Sequence, residues 1–172
     1  MYYKTAIETP LGGAVLAGDE KSLVGLWFSG QKYFFDSVNG EVVQNDALPV
    51  FTETKKWLDR YFNGEKPAAP ELPLAPNGSA FRIGVWDILC KIPYGKYTTY
   101  GEIAKKMAAN MGVPTMSSQA IGGAVGHNPI SIIIPCHRVI GANKSLTGYA
   151  GGTDKKAALL THEGVILGGL TQ

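Results

Sequence analysis

The first 28 residues carry short apolar and β-branched runs separated by turn residues, a pattern typical of strands. Proline, glycine and aspartate mark the turns, and three strands are predicted at residues 2–8, 14–17 and 23–28. A further short strand is predicted at 41–43. The chain therefore begins with a β-meander.

Residues 49–63 have the spacing of an amphipathic helix, and Gly64 follows as its end. Large apolar side chains recur there at three- and four-residue steps and share one side, so we assign them to core packing. The residues on this side are Phe51, Trp57, Leu58, Tyr61 and Phe62.

Prolines recur every three residues within 64–77, a spacing that excludes a helix and predicts a stiff, extended connection. We place a domain boundary here. The prediction is an N-terminal domain of sheet and helix with a proline-rich linker at 1–77, and a second domain at 78–172.

The second half changes to helix periodicity. Ser79 is a predicted N-cap for a helix that carries Val85 and Leu89 inward. Thr99 and Glu102 have the spacing of a capping box, which opens a helix to about residue 108.

Two more helices are predicted further along the chain. Ser117 or Ser118 caps a short helix through Val125, and the two short helices joined by a glycine-containing loop fit a helix-turn-helix. Such a pair is generic and does not by itself identify a DNA-binding protein. Thr153 or Asp154 caps a last helix, which runs through residue 163.

The segment Gln119–Ala124 is unusual for a helix that reads bases, because it lacks long polar side chains apart from the glutamine. Its adjacent glycines, Gly122 and Gly123, each cost about 1 kcal/mol relative to alanine in a helix interior. Two explanations are open: tight packing of helix on helix, or close approach to DNA in the narrower minor groove.

Composition bounds the function without identifying it. A formal net charge of +2 does not indicate a nucleic-acid-binding protein, so any basic surface must be local. Two cysteines, Cys90 and Cys136, form no disulfide framework, and a reactive thiol indicates a reducing compartment. The N-terminus lacks a signal-peptide pattern, and no apolar run reaches membrane-spanning length. We expect a cytoplasmic protein with no membrane association.

The stretch from Asn128 to Gly141 carries the most chemistry. Ile130 and Ile132–Ile134 predict a short buried strand, which Pro135 ends because proline has no N–H for a ladder. A thiol, an imidazole and a guanidinium then follow in succession. A lone cysteine is usually an inert apolar residue, but cationic neighbours at the end of a strand favour the nucleophilic thiolate.

The sequence Pro135-Cys136-His137-Arg138-Val139 resembles the active-site signature of the O6-alkylguanine-DNA alkyltransferases. Further segments resemble that family in the same order and with similar spacing. They are Tyr100–Ala104, Gly122–Ala124, Asn128-Pro129, Gly148–Gly152 and His162–Gly164. The resemblance is strong over about residues 78–168 and weak before them.

This resemblance implies an α/β fold class with two α+β domains. The N-terminal domain is then a ribonuclease H-like β-meander with a helix, and the C-terminal one a winged-helix-like helix-turn-helix domain that contains the active site. The implied partner is double-stranded DNA bound through the minor groove by a monomer. The target base is extruded into a pocket, because a protein thiol cannot reach it inside a duplex.

The resemblance also implies roles for individual residues. Cys136 accepts the alkyl group, His137 deprotonates it through a water, and Glu163 orients the imidazole. Tyr100 protonates the departing guanine, and Asn128 holds the turn that presents the thiol. Substrate and DNA contacts fall to the residues Gln119, Ala120, Gly123, Arg138, Val139, Tyr149, Ala150 and Gly151.

Two of these positions carry open questions. The family position that Gln119 occupies, which fills the gap left by the extruded base, is typically arginine, so the charge is missing here. Arg138 is interpreted either as a fixed cation that lowers the thiol pKa or as a fork that bonds backbone carbonyls and ties the domains.

The implied reaction is an in-line displacement that leaves S-alkylcysteine, a thioether without an easy hydrolytic exit, so the protein acts once. No cofactor or metal is required. Two alternatives remain open: a cysteine hydrolase with a triad of Cys136, His137 and Glu163, and a DNA-binding module without chemistry.

Overall fold

The computed structural model describes residues 1–146 and 148–169, which form two compact units. The first comprises Met1–Asn77 together with Pro129–Ile133, and the second comprises Gly78–Asn128 and the described residues from Ile134 onward. The first unit thus runs to Asn77, and Pro129–Ile133 joins it from the later part of the chain.

The first unit is built on a four-stranded sheet, and the predicted meander is confirmed. Its strands are β1 (Tyr2–Thr9), β2 (Gly12–Gly18), β3 (Leu23–Phe28) and β4 (Val42–Gln44). Their order is β3-β2-β1-β4, with antiparallel pairs between β1, β2 and β3 and a parallel pair between β1 and β4.

Strand β3 is buried along its whole length. Its free edge is covered by other segments of the first unit. Leu23 bonds the backbone of Pro73 and Ala75 in the proline-rich segment, and Leu26 bonds Pro129 and Ser131. The edge is therefore not left open for pairing with another chain.

The predicted helix of the first unit is α1 (Pro49–Phe62). Phe51, Trp57, Leu58 and Tyr61 are buried on one side of it, which confirms their assignment to the core, whereas Phe62, predicted with them, is only half-buried. The proline-rich segment, predicted to be extended, is not extended throughout, because it contains a 3-10 turn at Ala69–Glu71.

The second unit is mainly helical. Its elements are α2 (Ala80–Cys90), β5 (Thr98–Thr99), α3 (Tyr100–Met111), α4 (Ser118–Gly126), a 3-10 turn (Cys136–Arg138), β6 (Val139–Ile140), α5 (Thr153–His162) and a 3-10 turn (Leu167–Gly169). Within the described part of the chain, no helix is long and apolar enough to cross a membrane.

Three helix caps follow the sequence prediction. The hydroxyls of Ser79, Thr99 and Ser117 accept backbone N–H groups at the starts of α2, α3 and α4. Helix α3 runs to Met111, past the predicted end near 108, and stops where Gly112 takes a left-handed conformation with φ of 67°.

The predicted N-cap of α5 is wrong. Gly152, with φ of 99°, occupies the N-cap position, and Thr153 is the first helical residue. Neither predicted cap, Thr153 or Asp154, is used, since the backbone has already turned into the helix before it reaches them.

A two-stranded parallel ladder positions the site. Strand β6 follows directly after the turn that carries Cys136, and β5 directly precedes Tyr100, the first residue of α3. Thr98 pairs with Val139 and Thr99 with Ile140. This pairing brings the start of α3 beside the cysteine turn.

Candidate active site

Cys136 begins a 3-10 turn rather than following a strand, so the predicted strand at Ile130–Ile134 is wrong. Ile130 makes a single bridge to Leu26, after which Ile132 takes a left-handed conformation with φ of 70°. That conformation is uncommon for a β-branched residue and breaks the extended run. All residues from Ile130 to Ile134 are nevertheless buried, so the apolar pattern reflects burial and not pairing.

Asn128 braces this turn. Its side-chain Nδ2 donates to the carbonyl of Ile134 at 2.8 Å, and the Cys136 N–H donates to the same carbonyl at 2.8 Å. Both bonds lie within the second unit. They hold the thiol-bearing residue against the end of α4, where Asn128 follows the helix.

One buried carboxylate organises the residues that follow the cysteine. Glu163, the C-cap of α5, accepts a hydrogen bond from His137 Nε2 at 2.6 Å. Arg138 donates to both carboxylate oxygens, from Nε at 2.8 Å and Nη2 at 3.0 Å. The backbone N–H of Gly95 donates to Oε1 at 3.1 Å, so each carboxylate oxygen accepts more than one hydrogen bond.

The charge state of this group follows from its contacts. Burial on its own raises the pKa of the Glu163 carboxyl, but hydrogen bonds from His137 and Arg138 outweigh it and hold that pKa well below its usual range. Burial lowers the pKa of His137; the bond to Glu163 opposes this shift, while the charges of Arg138 and Lys156 add to it. An ionised carboxylate therefore faces a neutral imidazole.

The tautomer of that imidazole is fixed by the same contacts. Because Glu163 is ionised and accepts only, Nε2 carries the proton. Nδ1 is then the lone-pair nitrogen; it is buried and bonds no protein atom among the described residues. This nitrogen is the candidate base.

The surroundings of Cys136 differ from those predicted. Burial raises the pKa of the thiol, and the Asn128 hydrogen bond and the charge of Lys156 oppose this without reversing it. The expectation that flanking cations hold a resting thiolate is therefore wrong, because Cys136 is only 5% exposed and Arg138 is committed to Glu163. The thiol needs a base.

Lys156 is a site residue that the sequence prediction missed. It lies on α5 with no solvent exposure, and burial lowers its pKa to about 8, opposed by Cys136. Its Nζ is 5.9 Å from the centre of the Tyr100 ring. A signal was present: Lys156, Leu159, Leu160 and Glu163 share one face of α5 at helical spacing, and all are buried.

Tyr100 stands close to Cys136 at the start of α3. Burial raises the pKa of its hydroxyl to about 12, and Cys136 adds to this, so the hydroxyl keeps its proton at neutral pH. Gly148 lies against it: a Cβ built there would be 2.7 Å from the Tyr100 oxygen.

A cleft of about 750 Å³ opens beside Tyr100. Its lining comes from the starts of α3 and α4 and from the segment after β6. The lining residues are Thr99, Tyr100, Gly101, Ser118, Gln119, Gly122, Gly123, Ala142 and Gly148.

The glycines of α4 are not required by packing inside the protein. A Cβ added at Gly122, Gly123 or Gly126 would meet no atom within 4 Å among the described residues. Gln119 and Ala120 are exposed on the same helix. The helix-packing explanation for these glycines is therefore wrong, and α4 presents a bare backbone to the cleft.

The other residues predicted to contact DNA or substrate differ in their exposure. The Arg138 guanidinium bonds Glu163 and the Ile92 carbonyl, the latter at 2.7 Å, and it is 9% exposed, so its side chain is not available for DNA or substrate. Its described bonds all lie within the second unit. The Val139 side chain is fully buried. Tyr149 is buried beside Gly148, and Ala150 and Gly151 are half-buried.

The comparisons with known proteins agree with the predicted resemblance. The model of 6-O-methylguanine DNA methyltransferase, DNA binding domain, matches residues 80–165, and that of the ribonuclease-like domain matches residues 1–76. The chain is 40% identical to the methylated-DNA–protein-cysteine methyltransferase of Haemophilus influenzae over 94% of this chain and 86% of that protein. Identity to the protein of that name from Methanosarcina acetivorans is 46%, over 95% and 99%.

A solved structure leads to the same family. The crystal structure of Mycobacterium tuberculosis OGT in complex with DNA matches with a TM-score of 0.80 and 38% identity, over 94% of this chain and 92% of that one. The α/β fold class is thereby confirmed. This chain belongs to the 6-O-methylguanine DNA methyltransferase family.

Proposed function

We propose that this protein repairs DNA by moving the alkyl group from O6 of guanine to the sulfur of Cys136, once per molecule. Family membership supplies the reaction class. The observation that carries the assignment to this chain's residues is the neutral His137, fixed through Nε2 by Glu163 at 2.6 Å, with its buried Nδ1 left as a lone-pair acceptor.

The first step is removal of the thiol proton. His137 Nδ1 takes it from Cys136 through a bridging water, since adjacent side chains diverge. The thiolate that forms is stabilised by the Asn128 amide and by the Lys156 charge, the groups that act against the effect of burial on the Cys136 pKa. The thiolate is therefore formed by proton transfer to His137 and is not a resting property of the site.

The second step is an in-line displacement. The thiolate attacks the alkyl carbon, the bond from that carbon to O6 breaks, and its electron pair passes to the guanine. Tyr100, protonated at neutral pH, supplies the proton that the guanine anion needs. The product thioether has no hydrolytic exit, which makes the reaction stoichiometric.

The base reaches the thiol from the cleft beside Tyr100. We infer that α4 enters the minor groove of double-stranded DNA, with Ala120 and Gly123 against the backbone and Gln119 in the space left by the extruded base. The exposed, side-chain-poor face of α4 supports this contact. Tyr149 packs on the extruded base, and the amides of Ala150 and Gly151 approach O6.

The contact can be tested with a pair of glycines on α4. Gly123→Ala and Gly126→Ala each add a methyl group that meets nothing in the protein, and each is expected to stabilise the fold by up to about 1 kcal/mol. Gly123 lines the cleft, whereas Gly126 is not among its lining residues. DNA affinity, measured by fluorescence anisotropy, should fall for Gly123→Ala and stay unchanged for Gly126→Ala. Equal affinities in both variants would remove α4 from the DNA interface.

The reaction itself is tested by mass spectrometry. After incubation with a duplex that contains O6-methylguanine, the peptide with Cys136 should gain the mass of one methylene, at no more than one equivalent. Repeated turnover would instead indicate a cysteine hydrolase. We further propose that the protein acts as a monomer in the cytoplasm, where a reducing environment preserves its two free thiols.

A further inference from the structure

Arg138 is not explained by the proposed reaction, although it is bound to the same carboxylate as the base. Its guanidinium spans both oxygens of Glu163 and also bonds the Ile92 carbonyl after α2. It is nearly buried, and its ring neighbour is Tyr94, 5.8 Å away. A buried cation in a two-pronged pair with a carboxylate cancels most of that carboxylate's charge.

His137 also depends on that charge. A buried carboxylate without a compensating cation favours a protonated imidazole beside it, because an unpaired buried charge is costly. A protonated His137 has no lone pair on Nδ1 and cannot accept the thiol proton. The position of Arg138 removes this competition.

We propose that Arg138 is a positioning residue that neutralises Glu163 and thereby keeps His137 in the neutral, proton-accepting form. This inference rests on the proposed function, in which His137 is the base. Arg138 then acts on the reaction through Glu163, and it touches neither DNA nor the alkyl group.

Other titratable and charged groups also surround the imidazole. Lys156 from α5 faces His137 and opposes its protonation, as Arg138 does. Cys136 precedes His137 in the turn and is a thiol at rest. From the other side, Tyr94 faces Glu163, and Cys90 on α2 faces Arg138. Arg138 bonds the carboxylate directly, through Nε and Nη2.

The direct test reads the protonation of His137 without substrate. In ¹⁵N NMR of the full chain, His137 should be neutral at pH 7 in the natural protein and stay neutral below pH 6.5, the usual midpoint. In Arg138→Met the imidazole should be protonated at pH 7. Arg138→Lys keeps the charge and should keep the imidazole neutral.

The kinetic test is the pH profile of alkyl transfer. Arg138→Met should move the acid limb from below pH 6.5 to above pH 7, with a loss of about tenfold for each pH unit below the new limb and recovery on the alkaline side. A residue that only supports the fold would lower the rate at every pH and leave the limb in place. Adding Glu163→Gln to Arg138→Met removes both charges and should return the limb to low pH.

The results distinguish a failure of the inference about Arg138 from a failure of the proposed function. A protonated His137 at pH 7 in the natural protein, or an unmoved limb in Arg138→Met, overturns the inference. If Arg138→Met does not fold, Arg138→Gln takes its place, because glutamine keeps a donor for Glu163 without the charge, and a neutral His137 at pH 7 in that variant overturns the inference as well. Absence of any transfer to Cys136 would instead overturn the proposed function, because the imidazole titration does not depend on substrate.

Discussion

The two cysteines of this chain lie in contrasting surroundings within one unit. Burial raises the pKa of Cys90 to about 11, with Asp87 adding to the shift and Arg138 opposing it. Burial also raises the pKa of Cys136, but there the Asn128 amide and the Lys156 charge oppose it. The cation near Cys90, Arg138, is already paired with Glu163. The carboxylate near Cys90 is that of Asp87, and its negative charge disfavours a thiolate.

Burial alone therefore does not distinguish a reactive thiol from an inert one. Reactivity requires a donor, a cation and a base assembled around the sulfur. At Cys90 the dominant neighbour, Asp87, is three residues away on the same helix. At Cys136 the partners come from the segment after α4, from α5 and from the residue next in sequence, so the fold and not the local sequence creates the site.

The largest expected effect is the loss of the acceptor itself. Cys136→Ala should abolish transfer of a labelled methyl group from O6-methylguanine DNA to the protein, whereas Cys90→Ala should transfer at the natural rate. DNA affinity should be retained in both variants. The measurement is protein-bound label after a fixed incubation, and label on Cys136→Ala would make Cys90 or another residue the acceptor.

The second effect makes Cys136 resemble Cys90 by removing its base. His137→Gln should slow transfer by about 10²- to 10⁴-fold near neutral pH, the usual contribution of a general base. Because the thiolate then forms by simple ionisation, the rate should rise about tenfold per pH unit toward the thiol pKa. Single-turnover rates between pH 6 and 10 measure this slope.

A control for that variant lies in the orienting residue. Glu163→Gln keeps a hydrogen-bond acceptor for His137 Nε2 but loses the charge that Arg138 pairs with. We expect a smaller rate loss than for His137→Gln and a lower stability, since the Arg138 cation is left unpaired. A flat pH profile in His137→Gln, or an equal loss in both variants, would argue against His137 as the base.

The secondary-structure elements could be predicted from the sequence more completely than the geometry of the site. The strands of the first unit and the caps at Ser79, Thr99 and Ser117 were predicted, because turn residues and hydroxyl caps act within three or four residues. The short ladder of β5 and β6 was not, since two-residue strands about 40 residues apart leave no periodic signal.

The errors at the site have physical causes. The isoleucine run near Ile132 has strand composition, but a left-handed residue and bonds to Leu26 determine its course. The resting thiolate was predicted from adjacent cations, although adjacency does not say where a guanidinium points. Lys156 was not predicted as a site residue because a lysine in a helix is usually solvated.

Lys156 supplies the third effect. Lys156→Met removes the cation near Cys136 while keeping a side chain of similar length, so we expect transfer to slow by about tenfold, the effect of about one unit in the thiol pKa. The fold should be unchanged or stabilised by up to about 3 kcal/mol at pH 7, since the pKa of Lys156 falls from 10.5 to about 8 on burial.

The sign of the pH dependence provides the check. Between about pH 8 and 10.5 the unfolded chain holds a proton on Lys156 that the folded chain has lost, so folding stability from this group rises with pH. Lys156→Met should lack that rise in urea denaturation at pH 7, 8.5 and 10. A variant that is both less stable and slower would indicate a structural role instead.

The smallest effect concerns the position of Tyr100 and uses a matched pair of glycines. Gly148 and Gly152 have φ of 92° and 99°, so alanine strains the backbone at both positions. A methyl group at Gly148 would lie 2.7 Å from the Tyr100 oxygen, whereas one at Gly152 meets no described atom within 4 Å. Gly148→Ala should therefore slow transfer severalfold more than Gly152→Ala. Adding Tyr100→Phe should abolish the difference between the two variants, because the displaced hydroxyl is then absent; a difference that persists would assign the effect of Gly148 to the cleft wall and not to the proton donor.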